Sequence, residues 1–291
     1  MQLPSINRRA RGERLRGQRL ESPHALIAVP TPFEQSPHYF AEHSNVVCAA
    51  HVASDAAACA AWLAGEVRAR VYDEELAQAF DEDLQTLAAE GFSTEELQKI
   101  AAAPEPDSTV GDIGEAIADL FLIERSDAKL PSNRRRDLRS GKGSLPGADI
   151  VGFSLSGKNG VEFLFGEVKS SSQNVFPPGV MGSGPDAMPA QLARLATEVL
   201  AQKRLVMYLF ARSSSPADRA LYMEALKQFA RGVFTLAGVL VRDTLPNQKD
   251  VTGPAQNLSA KLPSGRLVRL HVLHLSVNAE QWSTHCAPKV T

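Results

Sequence analysis

The chain has 291 residues, of which 44% are hydrophobic and 22% charged, with a formal net charge of −2 and a mean hydropathy of −0.16. That apolar content excludes a disordered chain, and no run of eighteen apolar residues is available to span a membrane. Cys48, Cys59 and Cys286 are too scattered for a disulfide framework or a paired-cysteine zinc site, and the first residues lack a signal-peptide core, so a cytoplasmic location without membrane attachment is expected.

In chain order, residues 1–20 read as a basic arm, with Arg8, Arg9, Arg11, Arg14, Arg16 and Arg19 against Glu13, a local +5. Residues 25–30 have the composition of a strand ended by Pro30. Residues 54–71 are alanine-rich and helical, with Trp62, Leu63 and Val67 on one stripe, and 73–90 repeat Leu76, Phe80, Leu84 and Leu87 at helical spacing. Ser93 and Glu96 have capping-box spacing for a third helix. Residues 71–107 carry eleven acids against Lys99 alone, a local −10, and the segment 101–107 reads as a linker and domain boundary.

Beyond the linker the pattern changes. Residues 111–124 predict a helix with Ile113, Ile117, Leu120 and Phe121 buried. Arg125, Lys129, Arg134, Arg135, Arg136, Arg139 and Lys142 then stand against Asp127 and Asp137, a local +5. Arg134, Arg135, Arg136, Arg139 and Lys142 are candidate phosphate ligands, because guanidinium groups bind phosphate oxygens bidentately and lysine supplies a point charge. Residues 148–155 and 161–170 predict a β-hairpin about a turn centred on Lys158. A Pro- and Gly-rich loop spans 177–189, helices are expected over 190–204 and 216–231, and strands over 233–242 and 267–277. The sum is an α/β (α+β) chain: a mixed β-sheet flanked by helices, preceded by an N-terminal α/β region.

One constellation carries chemistry. Glu167 and Lys169 are two apart on a strand and share a face, and the predicted hairpin register sets Asp149 directly opposite Glu167. Like charges in that position repel, and a divalent cation with oxygen ligands removes the repulsion. Mg²⁺ on one or two carboxylates, with Mn²⁺ as a substitute, would activate water and stabilise charge on a phosphodiester. Asp149 and Glu167 are the candidate metal ligands, with the Val168 carbonyl as a third and Glu115 reaching in from its helix. Lys169 would orient the attacking water or stabilise the developing charge.

These residues resemble the PD-(D/E)XK superfamily, the restriction-endonuclease-like nucleases. Asp149 matches that family's Asp, Glu167 and Lys169 its Glu-X-Lys, and Glu115 its helical Glu. Gln191 is similar to a Gln that several branches place on the following helix. The resemblance covers about residues 108–243. It implies a restriction-endonuclease-like core within a domain of 106–291, after an arm of 1–20 and an N-terminal region of 21–105. It also implies Glu115, Asp149, Glu167, Lys169 and Gln191 as catalytic residues. The order Gly-Glu, basic loop, Gly-X-Asp, Gly-Glu-X-Lys is further similar to the nuclease subunit of Hachiman antiphage systems, which works beside a superfamily 2 helicase. No signature of that narrower family is found in the first 60 residues.

The expected function is therefore Mg²⁺-dependent cleavage of DNA within antiphage defence. Two other readings stay open at this point: a nuclease-fold nucleic-acid-binding or regulatory subunit with little activity, and a stand-alone restriction-type endonuclease. Three other groupings read as non-functional. His38, His43, His51 and Cys48 match no zinc spacing, His271 and His274 fall on opposite strand faces, and Gly141-Lys142-Gly143-Ser144 lacks the context of a phosphate loop.

Overall fold

Alternating burial defines the sheet. On β2 (Val46–Ala53), Val46, Cys48 and Ala50 are buried on one side. On β5 (Gly160–Ser171), Phe163 and Phe165 enter one core layer, while Leu164 and Val168 enter the other. The other strands are β1 (Glu34–His43), β3 (Ala128–Lys129), β4 (Ile150–Gly157), β6 (Thr235–Arg242) and β7 (Val268–Leu275). They form one seven-stranded sheet in the order β1-β2-β7-β6-β5-β4-β3. The β1–β2, β3–β4 and β4–β5 pairs are antiparallel, and β2–β7, β7–β6 and β6–β5 are parallel. This computed structural model describes residues 30–103, 107–133, 137, 147–157 and 160–288, with the side chains of 37–41 also outside the description.

Helices cover both faces. One face carries α1 (Ala56–Trp62), a π-helical turn (Leu63–Val67), α2 (Arg68–Tyr72) and α5 (Val110–Arg125). Trp62, Leu63, Ile113, Ile117 and Phe121 pack there with Leu273 and Leu275, and Phe33 meets Trp62 and Phe121 edge-on. The other face carries α6 (Met188–Thr197), α7 (Val199–Arg212), α8 (Pro216–Ala230) and α9 (Thr252–Ser259), through Leu192, Leu205, Tyr222 and Leu258. A last helix, α10 (Ala279–His285), returns Trp282 to the first face. Helices α3 (Glu74–Ala89) and α4 (Thr94–Ala101) form a hairpin with Leu84 as its single buried apolar side chain.

Several expectations change. The strand read at 25–30 lies outside the described residues except Pro30, which has no regular structure. The N-terminal strands are instead β1 and β2, and β2 pairs with β7, so they belong to the same sheet as β4 and β5. The single helix expected over 190–204 breaks at Glu198, whose backbone is extended (ψ 101°), giving α6 and α7. Ser93 precedes α4 without a side-chain cap, whereas Thr109 and Asp112 form a reciprocal capping box at the start of α5.

Candidate active site

The β4–β5 ladder sets the site. Ile150 pairs with Gly166, Val151 with Phe165 and Gly152 with Leu164, the register the sequence predicts, and it shifts only near the turn, at Gly157 and Gly160. Asp149 stands one residue before β4, and its amide donates to the Gly166 carbonyl at 3.1 Å. Its carboxylate Oδ2 accepts from the Val168 amide at 2.9 Å, so the side chain lies against the strand that carries Glu167. Glu167 is 4% exposed, and the Lys169 ammonium donates to its Oε1 at 2.6 Å.

Electrostatics set these residues apart. Burial, and next the charge of Asp149, push the Glu167 carboxyl up to about 8, while Lys169 pulls it the other way. A carboxylate pair held this close is unfavourable by itself, because Glu167 is desolvated and faces a like charge.

Two glycines bring helices onto the site from opposite faces. Gly238 on β6 pairs with Glu167, and a Cβ there would lie 2.8 Å from Met188 Sδ and 2.9 Å from Leu192 Cδ1. Its absence lets α6 cross the sheet at the level of Glu167. Gln191 is carried on that helix, and its Oε1 is buried without a hydrogen-bond partner. Buried polar atoms are normally paired, so an orphaned acceptor on this helix is informative. On the other face, a Cβ on Gly114 would lie 2.0 Å from Ser170 Oγ, so α5 rests on the end of β5.

Glu115 follows Gly114 and is half-buried, on the face opposite Glu167 and Lys169. Among the described residues no group of three or more His, Cys, Asp or Glu side chains is arranged to hold a metal. Of the candidate metal ligands, the structure brings together Asp149 and Glu167. The Val168 side chain is buried in the core, and its amide belongs to Asp149. Arg134, Arg135, Arg136, Arg139 and Lys142 lie outside the described residues.

A family model for HamA matches residues 35–187, just over half of the chain. The chain belongs to the HamA family. The match agrees with the narrower resemblance drawn from the Gly-Glu, Gly-X-Asp and Gly-Glu-X-Lys order. It starts at residue 35, inside the first 60 residues where the sequence reading found no signature. No curated protein and no solved structure matches. Among the described residues, no helix of this HamA-family chain is long and apolar enough to cross a membrane.

The HamA match also takes in an acid that the sequence reading passed over. Asp119 lies one helical turn after Glu115 on α5 and accepts two bonds from Arg70 of α2, at 3.0 and 2.6 Å. Burial pushes its carboxyl up, Arg70 pulls it down and the charge of Asp149 pushes it up, so it sits within electrostatic reach of the site. Arg70 also donates to the Ser132 carbonyl at 2.6 Å, and Asn133 Nδ2 donates to the Arg70 carbonyl at 2.9 Å. The Ser132 hydroxyl then reaches Val151 O on β4, two residues past Asp149. The Glu115–Asp119 spacing of four residues was the available signal. The partner, 49 residues away on another helix, was not.

Proposed function

We propose that this HamA-family chain is a metal-dependent nuclease of the PD-(D/E)XK kind that hydrolyses DNA phosphodiester bonds. The observation that supports this most is the Asp149–Glu167 carboxylate pair, with Glu167 buried and the Lys169 ammonium on its Oε1.

The donor set suits Mg²⁺, or Mn²⁺ in its place. Two carboxylates are enough for such an ion, their mutual repulsion calls for a cation, and the orphaned Gln191 Oε1 offers an acceptor for a coordinated water. Asp149 and Glu167 would hold the ion, with the Val168 carbonyl as a third oxygen. Mg²⁺ so held would supply Lewis acidity toward the phosphate and lower the pKa of a bound water. Lys169, anchored by Glu167, orients the attacking water and offsets charge developing on the phosphorus oxygens. Glu115 and Gln191 complete the catalytic set from the helices on either face. Arg134, Arg135, Arg136, Arg139 and Lys142 are the basic residues that would contact the DNA backbone.

Membership of the HamA family supports a role in Hachiman antiphage defence, and the chain would act there as the effector subunit beside a superfamily 2 helicase in the cytoplasm. The test is cleavage of supercoiled and linear DNA with Mg²⁺ by the purified chain, alone and with its helicase, beside Glu167→Ala and Lys169→Ala. Loss of cleavage in both variants is expected. Undiminished cleavage in either overturns the site.

A further inference from the structure

The α3–α4 hairpin presents an apolar stripe to solvent. Leu76, Phe80 and Leu87 on α3 are 46%, 50% and 38% exposed, and Phe92 and Ile100 are 59% and 51% exposed. On a helix of 3.6 residues per turn, Leu76, Phe80 and Leu87 lie on one narrow face, with Asp83 between them and Glu90 at the edge. Three large apolar side chains on one exposed face, with Phe92 and Ile100 exposed on the same hairpin, mark a contact surface. Within 71–107 the only cation is Lys99, held by Glu95 and Glu96 at 3.0 and 2.9 Å. An occupant must therefore combine positive charge with apolar side chains.

The chain contains such a segment. Residues 1–20 place six arginines against one acid and include Leu3, Ile6, Leu15 and Leu20. Residues 1–29 lie outside the described residues, so only their sequence and their point of attachment enter the argument. That point is next to the C-terminal end of α5, where the Thr31 amide donates to Glu124 at 2.5 Å. The hairpin is rooted at the other end of α5, where Tyr72 OH meets Ser108 Oγ at 3.4 Å. The 16 residues of α5 span about 24 Å. The ten residues 21–30 reach up to about 35 Å when extended, enough to bring Arg16, Arg19 and Leu20 to the hairpin.

We propose that the exposed stripe of α3–α4 is the docking face for the arginine-rich segment 1–20 of the same chain. Apolar residues of the segment cover Leu76, Phe80 and Leu87, and its guanidiniums meet Asp83, Glu90 and the neighbouring acids. The same arginines would otherwise be free for phosphate, so the hairpin and a nucleic-acid backbone compete for them.

Hydrogen exchange on the full chain tests this independently of any nuclease activity. Three forms are compared at low salt: wild type, a form with the six arginines of residues 1–20 changed to serine, and Leu76→Ser/Phe80→Ser. Amides of residues 74–101 should exchange several-fold faster in both variants than in wild type, and wild-type protection should fall in 1 M salt, where the screening length is about 3 Å. Equal exchange in wild type and the arginine variant overturns the proposal. Wild-type protection that rises with protein concentration also overturns it, because the occupant is then a second copy. All substituted residues are exposed or outside the described fold, so global melting should be unchanged.

Discussion

Two acidic regions of this molecule have opposite fates. The Asp149 end of β4–β5 holds two carboxylates close together, Glu167 buried and Asp149 half-buried. The α3–α4 hairpin holds far more acids, including the Asp81-Glu82-Asp83 run, on a surface where water screens them. Charge count ranks the hairpin first, whereas burial ranks the small pair first. Desolvation, and not the number of like charges, is what makes an acidic group reactive or costly. Four measurements break or sharpen this contrast.

The largest effect is expected at Glu167. Glu167→Gln should lower DNA cleavage about 10³-fold, within the range for loss of a principal catalytic group. It should leave stability unchanged or raised, since a buried like-charge repulsion is removed. Parallel cleavage assays and urea denaturation check both halves. Mg²⁺ should raise the melting temperature of the wild type and not of this variant, because a ligand stabilises only the fold that binds it.

Arg70→Ala should cost about 3 kcal/mol in urea denaturation, because it leaves Asp119 buried without its cation. Adding Asp119→Asn should recover part of that loss. A cost below about 1 kcal/mol would move this pair to the side of the screened hairpin charges.

A smaller loss is expected on acidification. Burial lowers His271 to about 3 and His274 to about 4, so both are neutral in the fold and charged in the unfolded chain below about 6.5. Their stabilisation is complete above the unfolded value and is lost as pH falls through the folded ones. Between pH 6.5 and 5 each should remove up to about 2 kcal/mol, at 1.36 kcal/mol per pH unit. His274→Asn should flatten the slope in denaturation curves taken across that window.

The smallest effect belongs to the hairpin. Leu76→Ser or Phe80→Ser should shift stability by no more than about 0.5 kcal/mol, as for other exposed positions. A loss above about 2 kcal/mol in thermal or urea melting would show that this face is core, and the contrast would fail.

Much of the β4–β5 hairpin was legible in the sequence because strand geometry is local. A period of two and a short turn put Asp149 opposite Glu167, and the ladder from Ile150–Gly166 to Ser154–Glu162 follows. Helices α3 and α5 were legible for the same reason, through apolar spacing. The β1–β2 pair was not. β1 contains Pro37 and a register shift between Gln35 and Phe40, as an edge strand tolerates, and its turn uses Ser44 at φ 53° in place of glycine. Asp119 and Arg70 were missed because their meeting depends on α2 crossing α5. The break at Glu198 was missed because both flanking segments have helical composition.

The pairing of β2 with β7 has a consequence for how the protein is made. Val46 to Ala53 pair with β1 next to them in the chain, but find their parallel partners at Val268 to Leu275, after more than two hundred intervening residues. A ribosome must therefore release nearly the whole chain before β2 can close against its parallel neighbour, and such long-range pairing is slow to form. Through that interval the sheet over which Asp149 and Glu167 are placed lacks a central strand. Until residues 268–275 emerge, β2 and β6 both lack the strand that joins the β1–β2 pair to the β4–β5 end of the sheet.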